Sequence, residues 1–100
     1  MCMGDLRFTW DSRKATTNER KHRVSFDEAQ TVFLDDNALL IADPEHSEDE
    51  DRFLLLGVSA KLRMLVVCHC LRESGDLIRI ISARKADRTE RGEYQKKVRT

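Results

Sequence analysis

Leu6, Phe8 and Trp10 alternate with Arg7 and Thr9, the period-two pattern of a short strand. Asp11-Ser12 directly after it offers a helix N-cap. The helix that follows carries Lys14, Asn18 and Lys21 along one polar, basic face, with His22 beside it. Val24-Ser25-Phe26-Asp27-Glu28 reads as a second helix start, with Ser25 and Glu28 spaced for a capping box. Phe26, Ala29, Val32 and Phe33 fall on its apolar stripe. The short gap between the two helices predicts a tight pair rather than one rod.

Ala38 to Ala42 is a short apolar strand ended by Asp43-Pro44, with an acidic loop to Asp51 behind it. Arg52 to Val58, Met64 to Arg72 and Leu77 to Arg84 are three further strands, separated by the turn-like Ser59-Ala60-Lys61-Leu62 and Glu73-Ser74-Gly75-Asp76. Asp87 to Lys97 closes the chain as a helix, with Asp87 as cap and Glu90 at the third helical position. The expected architecture is α+β: a short N-terminal strand, two helices, an antiparallel β-meander and a C-terminal helix. Residues 6–97 form its single domain, residues 1–5 an N-terminal extension and residues 98–100 a tail.

Hairpins centred on Ala60-Lys61 and on Ser74-Gly75 predict a register. Arg52 then stands opposite His69, and His69 opposite Ile80, with Leu54, Leu56, Leu65, Val67 and Ile78 on the same face. Arg84 shares this face near Leu65, roughly 13 Å along the strand from His69 at about 3.3 Å per residue. Arg72 points the other way. The opposite face, with Phe53, Leu55, Val66, Cys68 and Ile81, is also apolar and needs a cover.

Composition narrows the class. An apolar content of 40% beside 36% charged residues suits a globular domain rather than a disordered chain. The longest apolar stretch, Met64 to Cys70, falls well short of the roughly 20 residues that cross a bilayer. The first ten residues hold no extended apolar segment of the secretory kind, so no membrane association and a cytoplasmic location are expected. Three cysteines, Cys2, Cys68 and Cys70, are expected to be reduced thiols. The net charge of zero conceals two basic blocks, Arg13 to Arg23 and Arg84 to Arg99, around an acidic run from Asp43 to Asp51. A local site for a polyanion is compatible with that distribution.

Cys68-His69-Cys70 invites a metal reading, but strand alternation sends the histidine to one face and both cysteines to the other, so no metal is expected. No phosphate-binding glycine loop is present, and no cofactor is expected. Arg52 and Arg84 at strand ends suit a phosphate gripped bidentately, and equally suit ion pairs with the acidic loop. Arginine does not give up its proton readily, so proton transfer needs another group, and His69 and His46 offer imidazoles for it. Lys14 and Lys21 are phosphate contacts or simply the solvated side of a helix. Tyr94, the only tyrosine, orients a nucleotide or docks the last helix.

Taken in order, Phe8-x-Trp10-Asp11-x-x-Lys14, Asn18-x-x-Lys21-His22 and Val24-Ser25-Phe26-x-Glu28-Ala29 resemble the opening of the BrnT toxins. Val32-Phe33-x-Asp35, His46-Ser47, Glu50-x-Arg52, Gly57-x-Ser59, Ile78-Arg79-Ile80-Ile81-Ser82-Ala83-Arg84 and Glu90-Arg91-x-x-Tyr94 continue that resemblance from Leu6 to Tyr94. It implies a RelE-like ribonuclease fold and the toxin role of a bacterial type II toxin-antitoxin pair that inhibits translation by cutting RNA. It also implies a BrnA-type ribbon-helix-helix antitoxin, operator DNA reached only through that antitoxin, and a toxin dimer within a two-to-two complex. The leading expectation is a metal-independent endoribonuclease in which a ribose 2′-hydroxyl attacks the adjacent phosphate. Arg52 and Arg84 would stabilise the transition state, His69 would serve as acid-base group, and Lys14, Lys21, Arg72 and Tyr94 would contact RNA. The alternative is a non-catalytic antitoxin- or RNA-binding domain. The chain departs from the family pattern at Arg23 and Leu62, where glycine is usual, which predicts an altered helix end and an altered hairpin.

Overall fold

The computed structural model describes residues 6–43, 52–72 and 76–99. The N-terminal extension, the acidic loop with His46 and the Glu73-Ser74-Gly75 turn lie outside the described residues. In chain order come β1 (Arg7–Thr9), α1 (Ser12–His22), α2 (Phe26–Thr31) prolonged by a 3-10 turn (Val32–Leu34), and β2 (Leu39–Ala42). They are followed by β3 (Arg52–Val58), β4 (Met64–Arg72), β5 (Leu77–Lys85) and α3 (Arg88–Arg99).

The helix ends follow local chemistry. Asp11 caps α1 by accepting from the N–H groups of Arg13 (2.8 Å) and Lys14 (3.2 Å), which also holds its carboxyl below the usual range. Arg23 ends α1 in the left-handed conformation, with φ 60°, and its N–H donates to the Glu19 carbonyl. Ser25 caps α2 through the Glu28 N–H at 3.0 Å. The expected capping box is only half formed, because the Glu28 side chain turns away to the β3–β4 hairpin, where it meets Ser59 and Arg63. At α3 the box is complete: Asp87 accepts from the Glu90 N–H and Glu90 from the Asp87 N–H, both at 2.8 Å.

The strands form one mixed five-stranded sheet in the order β1-β5-β4-β3-β2. β2 to β5 make the expected antiparallel meander, whereas β1 pairs in parallel with β5, from Arg7 against Leu77 to Thr9 against Arg79. A parallel neighbour needs a crossover, which everything between β1 and β5 provides.

The register departs from expectation twice. Val58 pairs with Met64, so Arg52 stands opposite Cys70 and Phe53 opposite His69. The turn between them is a three-residue loop closed by Ser59 N–H to Arg63 O (2.9 Å) and Leu62 N–H to Ser59 O (2.8 Å), with Leu62 at φ 64°. A loop with an odd number of residues centres the hairpin on Lys61 and shifts the pairing by one position. In the next hairpin His69 does face Ile80, but Cys68 faces Ser82, leaving Ile81 as the extra residue of a β-bulge. Beyond the bulge Arg84 pairs with Val66, next to Leu65 as expected, but its side chain falls on the face opposite Ile80.

One face of the sheet carries Leu55, Leu65, Val67, Ile78, Ile80 and Ala83, packed against Val24, Phe26, Ala29 and Val32 of the helical layer. Each valine, leucine, isoleucine or phenylalanine among them contributes about 1.5–3 kcal/mol when fully removed from water. Gly57 lets the 3-10 turn lie directly on the strand: a Cβ there would come within 2.9 Å of Val32 and 3.0 Å of Ala38 and Asp35. The other face is covered at one end by α3, through Leu56, Val66, Ala86 and Tyr94.

Candidate nucleic-acid interface

The two register differences move Arg52 and Arg84 together onto the face that α3 covers, and separate both from His69. Arg52 Nε donates to Asp43 Oδ2 at 3.3 Å, and the Cys68 thiol lies 3.6 Å from the same oxygen. Burial pushes the Cys68 thiol up, so it remains protonated and inert at neutral pH. Arg84 makes a bidentate pair with Glu90 at 2.8 and 2.7 Å, with 40% of its side chain still exposed. That guanidinium holds the Glu90 carboxyl below its usual range. The rows of Arg52 and Arg84 are four residues apart on β4, roughly 13 Å at about 3.3 Å per residue.

Arg79 stands in the row of Arg52 and Cys70, and Arg72 and Arg7 share the next row with Leu77. Arg72 therefore shares the face of Arg52, contrary to the expectation that it points the other way. Arg7 and Arg79 were not singled out from the sequence; the alternation Ile78-Arg79-Ile80 was the available signal.

His69 is 1% exposed. Its ring meets Phe33 edge-on at 4.9 Å and lies 6.2 Å from Phe53, with Nδ1 3.1 Å from the Val67 carbonyl. Burial pushes its pKa down, so the imidazole is neutral within the core. The expectation that Arg52, His69 and Arg84 share one face is corrected: His69 belongs to the helix-covered core and the arginines to the reverse side. Tyr94 is also buried, and its hydroxyl donates to Asp35 at 2.7 Å. Burial and the Asp35 carboxylate push it up to about 12, and its contacts are those of a residue docking α3.

Lys14 and Lys21 sit on the face of α1 that meets β5. Between these elements lies a cavity of about 190 Å³ lined by Lys14, Thr17, Asn18, Lys21, His22, Ile81 and Ser82. Asn18 builds it. Its Nδ2 donates to Val24 O (2.9 Å) and Ala83 O (2.8 Å), and its Oδ1 accepts from the Ala83 N–H (3.0 Å). The side-chain amide thus pairs with β5 as a neighbouring strand would, and fixes α1 beside the bulge. The two lysines flank Asn18, one turn away on either side. His22 was noted beside them in the sequence, whereas the convergence with Ile81 and Ser82 depends on a bulge that alternation does not reveal.

Residues 10–90 match the model of a family described as "Ribonuclease toxin, BrnT, of type II toxin-antitoxin system". No curated protein matches the sequence significantly. Among solved structures the fold is similar to the crystal structure of the Brucella abortus ribonuclease toxin BrnT, with a TM-score of 0.64 and 21% sequence identity, over 83% of this chain and 99% of that one.

Proposed function

The chain belongs to the BrnT family of ribonuclease toxins of type II toxin-antitoxin systems, and from that premise we propose that it is a metal-independent endoribonuclease that halts translation by cutting RNA. The observation that carries the reading is the convergence of cations on two adjoining surfaces: Lys14 and Lys21 at the α1–β5 cavity, and Arg52, Arg72, Arg79 and Arg84 on the sheet face. A ribose 2′-hydroxyl attacks the neighbouring phosphorus, and fixed guanidinium and ammonium groups offset the charge that accumulates on the phosphoryl oxygens. These groups supply the positive charge that a metal ion would otherwise bring. Arg52 and Arg84 hold successive phosphates of a single strand rather than clamping one, as their separation along the sheet favours. Glu90 positions Arg84 in the absence of substrate, and RNA phosphate displaces it.

A type II toxin has an antitoxin partner, and we propose one of the BrnA-type ribbon-helix-helix class in a two-to-two complex, which alone contacts operator DNA. Release from that partner would expose the cationic surfaces to RNA in the bacterial cytoplasm. His69 takes no part in the proposed chemistry, because an imidazole sealed behind Phe33 does not reach a phosphate.

The test is cleavage of a labelled single-stranded RNA in EDTA by protein freed of its partner. Cleavage that survives EDTA and falls at least tenfold in Arg84→Ala is expected from loss of about 1.4 kcal/mol or more of transition-state stabilisation. Retention of RNA without any cleavage would refute the enzymatic reading and favour a binding domain. Wild-type cleavage by Arg84→Ala would remove that residue from the site.

A further inference from the structure

Resting on the reading that the chain cuts RNA, we propose that the α1–β5 cavity is the scissile subsite, in which Lys14 and Lys21 hold the phosphate and His22 protonates the departing 5′-oxygen. The cavity, at about 190 Å³, is smaller than the roughly 300 Å³ from which small-molecule sites begin. It suits a single phosphodiester, with the adjoining nucleosides outside. Among the described residues, the side chains of Lys21 and His22 make no hydrogen bond or ion pair. The charge of Lys14 helps to hold the Asp11 carboxyl below its usual range. Potential donors therefore line one small cavity that offers no carboxylate of its own, an arrangement complementary to an anion.

The site is also preorganised. Asn18 lies between the two lysines on α1 and is bonded on both edges to Ala83, the residue after Ser82. The bulge at Ile81 brings Ile81 and Ser82 to the cavity wall, as bulges do where a strand must re-aim its side chains. Of the described imidazoles, His69 is enclosed in the core, whereas His22 is half-exposed and lines the cavity. Imidazole is the side chain suited to proton exchange near neutral pH.

The step balances as follows. The 2′-oxygen forms a bond to phosphorus, and its proton passes to water. The bond from phosphorus to the 5′-oxygen breaks, with its electron pair going to that oxygen. The 5′-oxygen takes a proton from the His22 imidazolium, which regains one from solvent. The products are a 2′,3′-cyclic phosphate and a 5′-hydroxyl. Lys14 and Lys21 hold the two non-bridging oxygens throughout.

The experiment is single-turnover cleavage of a labelled RNA by wild type, His22→Gln and His22→Ala. It is repeated on the same RNA carrying sulfur in place of the 5′-bridging oxygen at the bond the wild type cuts. A thiolate leaves without protonation, so the histidine variants should lose about 10²- to 10⁴-fold on ordinary RNA and recover most of that loss on the sulfur substrate. Binding of fully 2′-O-methylated RNA should be unchanged in the His22 variants and weakened in Lys14→Ala and Lys21→Ala. Wild-type rates in both His22 variants, or a loss that sulfur does not relieve, overturn the role of His22 while leaving the ribonuclease reading standing. No cleavage by the wild type overturns both.

Discussion

Replacing Glu28 by glutamine should cost this fold about 2–4 kcal/mol, a large part of the stability of an ordinary domain. The Glu28 side chain is 2% exposed. Its carboxylate accepts from Ser59 Oγ at 2.6 Å, from Arg63 Nε at 2.9 Å and from a second Arg63 guanidinium nitrogen. The same guanidinium donates to the Arg23 carbonyl at 3.0 Å, so one arginine joins the end of α1, the start of α2 and the β3–β4 hairpin. Removing one partner from a buried pair costs about 3–5 kcal/mol. Arg63 keeps 31% of its side chain in water, and solvation of the stranded cation brings the expected loss down to about 2–4 kcal/mol.

For a domain of this length that corresponds to a fall of roughly 8–32 °C in Tm, at about 4–8 °C per kcal/mol. Urea unfolding followed by the fluorescence of Trp10, whose ring stands edge-on to Phe26 at 5.9 Å, reads the change as a shifted midpoint with an unaltered slope. The hydrogen bonds from Arg63 hold the Glu28 carboxyl below its usual value of 4.5. Its contribution is therefore complete above that value and disappears as pH falls through the lowered native one. Wild type and Glu28→Gln should differ fully at pH 7 and converge in acid. A difference at pH 7 of less than about 0.5 kcal/mol, the ordinary range of surface substitutions, would refute the reasoning.

Leu62 is 84% exposed at φ 64°, and relief of the left-handed penalty should make Leu62→Gly more stable by about 0.5–1 kcal/mol, seen as a higher urea midpoint. Gly57→Ala should lose about 1–3 kcal/mol, because its Cβ would press on Val32, Ala38 and Asp35; a Tm equal to wild type would show that the 3-10 turn yields freely. Asn18→Ala strands the Ala83 N–H and two carbonyls and should cost about 1–3 kcal/mol or more, while hydrogen exchange of the Ala83 amide accelerates.

Much of the fold was legible because it is local. The Asp11 and Ser25 caps, the Asp87–Glu90 box and the strand runs each depend on residues within one turn of each other. The two departures from the family's glycines, Arg23 and Leu62, prove to be the non-glycine residues of positive φ among those described. Facing was harder to read, since a one-residue change inverts a whole strand. The odd loop turned Arg52 away from His69, and the bulge at Ile81 turned Arg84 away from it as well. The two inversions cancel, so the arginines share a face as expected while the histidine does not. Glu28, Asp35 and Asn18 each also bond to partners 23 to 65 residues away in the chain. No spacing rule connects residues across such distances.

The borders of the sheet are unequal. At one side β1 spans only three residues, and beyond its end the Asn18 amide occupies backbone groups of β5 that another strand would need. At the other side β2 is Leu39-Leu40-Ile41-Ala42, an edge strand with Leu40 55% and Ile41 48% exposed. Filaments require two complementary borders on every copy, whereas a closed pair requires one that complements itself. Among the described residues β2 is the longer of the two borders and the one that carries exposed apolar side chains, so strand addition is favoured there. Strand addition confined to one such border would terminate after one event, giving a finite assembly where a symmetrically open sheet of the same composition would grow into fibres.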